Sequence, residues 1–365
     1  MRNLVRLLLV VALLGGFASV APRTRAAQPP VIAATLDVEI DFPSTITFHL
    51  TAETPEPVTS AELRYTTSGK EYSNAAMVTF EKSSAVDAEY TVDAQIDYIE
   101  PGVDVVYSWV LHDANGPVAR TAEESLTWID DSFDWQRHDS DDVSVFTYDD
   151  EPDFDQYILQ VAQESADKYK QEYDIDRIDP MRIWVYASDD DFATTLRQNS
   201  ESWIGGFSLP EAGVIAVPIE PGDDYSVERV ISHEVSHHVL YQATKNPFSY
   251  PPTWLDEGLA VIGQLAGNEN DREIVLGAFA EGALPTLRTL SSSFPTDAAA
   301  ANRSYATSHI AVQFLIDNWG QAAIADLIHQ FRQSATADEA LTAVIGLDTE
   351  GLDATFRDWL ATQSD

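Results

Sequence analysis

The chain has 365 residues, 44% of them hydrophobic and eight of them tryptophan, which is material for two folded domains and excludes wholesale disorder. With 60 acidic residues against 21 basic ones, the net charge of −39 gathers cations and repels phosphate backbones and anionic headgroups, so nucleic acid and bilayer surfaces are poor partners. There is no cysteine, so disulfides contribute nothing, and any metal must be held by nitrogen and oxygen alone.

The first elements along the chain form an export pattern. Arg2 and Arg6 precede an uncharged run over residues 7–21, and small residues follow, with cleavage points after Ala21, Ala26 or Ala27. This is the order of a secretory signal, placed here at residues 1–27. The run is shorter than the roughly 20 residues that span a bilayer. The expectation is therefore a secreted or extracytoplasmic protein at the cell surface, with no stable membrane insertion after cleavage.

Residues 31–131 read as short strands. TLDVEI, STITFHL, AELRYTT, AEYTVDAQI and DVVYSWVLH alternate apolar with polar residues or are rich in β-branched and aromatic types. Turn signals separate them: TPEP around Pro55, TSGK around Gly69, EPG at Pro101 and DANG ending at Gly116. Such spacing without a helical period predicts a β-sandwich of immunoglobulin or fibronectin type. His49 and His112 fall inside strands, as packing or surface residues. An acidic stretch at 130–151 reads as a solvated linker plus one strand, VSVFTY; its aspartates lack the spacing of a calcium loop.

Residues 132–365 have another character, that of an α+β domain that is mostly helical at its C-terminal end. FDQYILQVAQESADKYKQEY predicts an amphipathic helix and MRIWVYAS a buried strand. DDDFATTLRQ predicts a helix with Asp189 to Asp191 at its positive end. The run at 213–219, GVIAVPI, reads as a strand closed by Pro218 and Pro221, which suits a sheet edge. Helices are expected over 304–319, 321–331, 337–346 and 351–363.

Between these lies ERVISHEVSHHVLYQA, with His233, Glu234 and His237 as an HExxH motif. Histidines four apart lie on one helical face, about 6 Å apart along the axis, so their imidazoles can take adjacent corners of one tetrahedral zinc. The helix is apolar at Val230, Ile231, Val235, Val239 and Leu240 and should be packed. Burying two imidazoles and a carboxylate with no metal would leave polar groups to satisfy in some other way. A metzincin needs glycine where Leu240 stands and histidine where Ala243 stands, so that class is excluded. Asp256 and Glu257, in PPTWLDEGLA, are the candidates for a third ligand. His238 is turned away from both motif histidines and is expected to have a supporting or surface role.

HExxH followed about twenty residues later by W-L-x-E-G-L-A resembles the gluzincin metallopeptidases, thermolysin and aminopeptidase N among them, and most of all the bacterial peptidase MA-like proteins. The resemblance runs from about residue 130 to the C-terminus and is strongest over 233–260. It implies zinc on His233, His237 and Glu257, with Glu234 as general base. It also implies an oxyanion donor from a later helix, Tyr305 by the family pattern, with His309 as the other candidate. Thermolysin-like enzymes carry an aspartate where Val261 stands, so the residue that orients one imidazole has to lie elsewhere. The glutamate motif by which aminopeptidases grip a free N-terminus is missing. The implied activity is thus an exported zinc-dependent endopeptidase that hydrolyses peptide bonds with a zinc-activated water, its peptide or protein substrate laddered along 213–219. The alternative is a catalytically silent cell-surface binding protein with a zinc-stabilised gluzincin-like domain.

Overall fold

A computed structural model describes residues 28–196 and 206–363; the signal segment expected at 1–27 lies outside the described residues. Strands β1 (Ala34–Asp41), β2 (Thr45–Thr67), β3 (Asn74–Asp93), β4 (Asp104–Asp113), β5 (Gly116–Arg120) and β6 (Glu124–Thr127) pair antiparallel in one sheet. The turn expected at TPEP does not form. β2 runs straight through it for 23 residues, with register shifts against β3 between Glu53 and Val58 and again between Val58 and Ser60. Pro55 and Pro57 fall in that irregular stretch, where their missing N–H groups leave no gap in a regular ladder. Before it β2 pairs with β1, after it with β4. Across that irregularity Phe48 from the first half of β2 meets Tyr65 of its second half and Tyr107 of β4, with ring centroids 6.1 and 4.8 Å away.

A second sheet is made of β7 (Gln136–Asp139), β8 (Val143–Thr147), β9 (Met181–Tyr186), β10 (Phe207–Leu209) and β11 (Val214–Pro218), in the order β10-β11-β9-β8-β7. β7 lies within the stretch expected to be linker. Helix α1 (Pro152–Glu172) crosses from β8 to β9, and the short α2 (Asp189–Ala193) is capped by Ser188, its aspartates in the first turn as expected.

The central strands are buried on both faces. Met181, Ile183, Val185, Ile215 and Val217 pack into the helical core, whereas Trp184, Tyr186, Val214 and Ala216 pack against the core of the N-terminal sheet. Side chains alternate across a strand, so a strand covered on two sides reads as an unbroken apolar run. This corrects the edge position expected for 213–219: β11 pairs with β9 in parallel on one side and with β10 antiparallel on the other. Among the described residues the edge on that side is β10, three residues long and too short to show a period.

The helices follow as α3 (Asp224–Ser226), a π-helical turn (Val227–Ile231), α4 (Ser232–Thr244), α5 (Thr253–Gly263), α6 (Asp271–Ala280), α7 (Ala298–Trp319), α8 (Gln321–Arg332), α9 (Ala337–Ile345) and α10 (Thr349–Gln363). None of the described helices is long and apolar enough to cross a membrane.

Two glycines let α5 sit close to its neighbours. A Cβ on Gly258 would lie 2.5 Å from the Ser308 carbonyl oxygen of α7, and one on Gly263 would lie 1.3 Å from the Tyr169 hydroxyl of α1. Gly277 of α6 has nothing within 4 Å of a built Cβ. Gly263→Ala is therefore expected to lower the urea unfolding free energy by about 1–3 kcal/mol through overpacking. Gly277→Ala should raise it by about 0.5–1 kcal/mol through helix propensity and chain entropy. Effects of the same sign at both positions would contradict this packing.

Candidate metal centre

The helix that carries the motif is pinned from behind. Ile231, Val235, Val239, Leu240 and Ala243 are buried. The Tyr169 hydroxyl donates to the Ser232 carbonyl (3.2 Å), and Tyr173 shares a hydrogen bond with the Ser236 hydroxyl (3.3 Å). His238 is fully buried, with Nε2 donating to the Val214 carbonyl of β11 (3.2 Å). Burial pushes its pKa down to about 3, which the Val214 carbonyl only partly opposes, so the ring is neutral. The surface role considered for His238 does not hold; it ties α4 to the central sheet.

The opposite face of α4 turns His233 and His237 towards α5, where Pro251 and Pro252 end the preceding loop and Glu257 stands in the second turn. The Nε2 atoms of the two histidines are 3.2 Å apart, and the Glu257 Oε2 atom lies 3.3 Å from the first and 3.6 Å from the second. Tetrahedral ligands at about 2.0–2.1 Å from a zinc stand about 3.3–3.4 Å from one another. Glu257 Oε2 is buried and has no hydrogen-bond partner of its own. An orphaned carboxylate oxygen facing two ring nitrogens at these separations fits a cation. Burial lowers the His237 pKa, but the Asp256, Glu257 and Glu234 carboxylates outweigh it and raise the bare imidazole to about 10. The cluster draws positive charge.

Asp256 does not join the cluster. Its Oδ1 accepts from Nδ1 of His237 at 2.6 Å, on the far side of the ring from Nε2. This is the orienting carboxylate that the thermolysin pattern would put at position 261. Its signal in the sequence was the acidic residue directly ahead of Glu257, weighed only as a ligand. Nδ1 of His233 meets the Gln264 side-chain amide at 2.8 Å, a partner with no sequence signal at all.

Glu234 and His233 face a cavity of about 500 Å³, shared with Gly206, Arg229, Asn302 and Tyr305. Tyr305 comes from α7 and sits over His233, ring centroids 6.2 Å apart. Burial, then the charges of Glu257 and Glu234, raise its pKa, so the phenol keeps its proton. His309, one turn further on, is engaged with Asp271 (Nδ1 to Oδ2, 2.7 Å). On the other side of the cluster, His237, Asp256 and Glu257 face a second cavity of about 290 Å³. β10 passes both, since Gly206 just ahead of it lines the first and Ser208 the second.

Residues 161–362, more than half of the chain, match the sequence model of the Peptidase MA superfamily. No curated protein matches the chain. Among solved structures it is similar to an aminopeptidase N family protein from Idiomarina loihiensis, at 10% identity and TM-score 0.36 over 91% of this chain and 71% of that one. It is also similar to a polysaccharide deacetylase from Bacillus cereus (8%, TM-score 0.23, 60% and 81%) and to the FN1-FN3 domains of chicken CNTN1 (12%, TM-score 0.23, 27% and 33%). Likenesses at these scores do not define a shared fold.

A cation held by the three convergent atoms predicts a graded response to mutation. Glu257→Ala should lose stoichiometric zinc in metal analysis after dialysis against a zinc buffer. Asp256→Asn should keep a site that binds about 10–100-fold more weakly, because only the orientation and basicity of His237 suffer. Unchanged zinc in Glu257→Ala, or an Asp256→Asn loss as complete as the Glu257→Ala one, would reassign the ligand.

Proposed function

The chain belongs to the Peptidase MA superfamily, and from that premise we propose that it is an exported zinc metallopeptidase that cleaves internal peptide bonds. The observation that carries this reading is the triangle of 3.2, 3.3 and 3.6 Å between His233, His237 and Glu257, with the Glu257 oxygen otherwise unpartnered. Export rests on the charge and hydropathy order of residues 1–27. We take the N-terminal sheet over 31–131 to be a fibronectin-like unit and 132–365 to be the catalytic one.

In this reading His233, His237 and Glu257 hold the metal, and Asp256 and Gln264 fix the two rings. Zinc, when bound, supplies a Lewis acid that polarises the scissile carbonyl and lowers the pKa of water towards about 7. Glu234 takes the proton of the attacking water and returns it to the departing amine. The protonated Tyr305 phenol donates a hydrogen bond to the oxygen on which negative charge develops.

The substrate strand expected along β11 is reassigned to β10. β11 has both edges filled, whereas among the described residues β10 has no strand on its outer side, and it runs past the cluster with a cavity at each side. An extended peptide can add to that edge through backbone hydrogen bonds and continue in both directions, which favours internal cleavage.

Two variants test the chemistry against a peptide library. Glu234→Gln should abolish cleavage with zinc content unchanged; persistent cleavage would remove Glu234 from the role of base. Tyr305→Phe should lower kcat by about 10²–10³ at constant zinc content, the usual effect of losing one oxyanion donor. A fall confined to KM would instead make Tyr305 a binding residue.

A further inference from the structure

The cavity beside Glu234 contains a cation that the hydrolytic chemistry does not use. Arg229 lies four residues ahead of His233, and both side chains line this cavity. It belongs to the π-helical turn that leads into α4, an irregularity often found at functional sites. Its stem lies along Gly267, where a Cβ would come within 2.8 Å of the Arg229 Cδ and 3.0 Å of the Tyr225 hydroxyl. Gly267 has φ +93°, so backbone conformation and space both favour glycine beneath that arginine.

Several arginines elsewhere on this acidic surface are paired with carboxylates, Arg64 with Glu62, Arg182 with Asp104 and Arg357 with Asp353 at 2.7–2.9 Å, while others such as Arg272 and Arg332 are not; what distinguishes Arg229 is its place in the cavity beside Glu234. Among the described residues Arg229 has no carboxylate within 4.0 Å and is exposed to the cavity. Asp271, the acidic residue on the same wall, is committed to His309 at 2.7 Å. The positive charge of Arg229 reaches Tyr305, where it opposes the effect of Glu257 and Glu234.

We propose that Arg229 determines specificity by pairing with a carboxylate of the bound peptide, from an acidic side chain or from the C-terminus, on the His233 side of the cleft. The guanidinium presents a planar fork of N–H donors to the two oxygens of a carboxylate, a geometry that an amide or ammonium cannot match. The inference rests on the peptidase reading of the cleft for its peptide ligand.

The test measures binding, so that it does not depend on turnover. Zinc-loaded full-length Glu234→Gln protein is titrated by fluorescence anisotropy with labelled peptides of one length. They carry Glu or Gln at successive positions and a free or amidated C-terminus. Carboxylate-bearing peptides should bind about tenfold more tightly than their neutral counterparts, the usual gain from a charge-assisted pair. A gap between the Glu and Gln peptides assigns the side chain, and one between free and amidated peptides assigns the terminus. Adding Arg229→Gln should collapse the gap, Arg229→Lys should restore part of it, and Arg229→Glu should favour a Lys-bearing peptide. Equal affinities across the set, absence of binding, or a gap that survives Arg229→Gln would overturn the proposal. Failure of the peptidase reading would look different: the gap would persist while protein retaining Glu234 left the bound peptides intact.

Discussion

Much of the helical half is arranged around an unfavourable juxtaposition: one carboxylate oxygen and two imidazole nitrogens brought within 3.2–3.6 Å in a partly buried place. Bare, this cluster loses hydration without gaining a partner for Glu257 Oε2, a cost of order 1–3 kcal/mol for even a neutral polar group and more for a charged one. A cation turns the same geometry into an attraction. The three groups are held in place by contacts behind α4: its buried apolar face, two tyrosine hydroxyls and the His238 bond to the sheet.

Those contacts reach through the whole helical half. α4 is fixed by its buried apolar face, by two tyrosines of α1 and its C-terminal end, and by His238 on the carbonyl of Val214. β11 and β9 can serve as its anchor because they are buried on both faces, by helices on one side and by the N-terminal sheet on the other. The N-terminal sheet therefore has a mechanical part in the site whatever else it binds. Trp184 and Val214 close against Gly102, where a Cβ would fall 2.5 Å from the indole Nε1, and Arg182 of β9 pairs with Asp104 at 2.8 Å. On the other side of α4, Gly258 lets α5 approach α7 closely, and that approach brings Glu257 near enough to Tyr305 for its charge to act on the phenol, although the two line different cavities. Position 258 thus couples the ligand from α5 to the proposed donor from α7.

What could be read from the sequence follows the range of the interactions involved. The HExxH spacing is local, four residues on a helix, and its meaning survives any tertiary arrangement. The pairing with Glu257 was legible through the W-L-x-E-G-L-A pattern. The role of Asp256 was not, because ligand and orienting carboxylate are adjacent in sequence and differ only in which nitrogen of His237 they meet. β11 was misplaced at an edge because its prolines were weighed more heavily than its apolar run, which is the mark of a strand covered on both faces. The turn at TPEP failed for a similar reason: proline forbids a regular ladder but not a bulge. Gln264, His238 and β10 carried no periodic signal, and their places are set by packing between distant segments.

The chain's acidity bears on the cleft in two ways that distance separates. At physiological salt the potential of scattered surface carboxylates decays over about 8 Å, so most of the −39 charge is screened from a peptide lying in the cavity. It still favours a divalent cation approaching the surface. Within the cavity, unscreened neighbours decide, and these include the Glu234 carboxylate, which disfavours a second negative group beside it. A bound carboxylate is tolerated only where a fixed positive group offsets that repulsion at contact range. Arg229, four residues ahead of His233 and resting on Gly267, occupies that position, so the net charge of the protein and the preference of its cleft can have opposite signs.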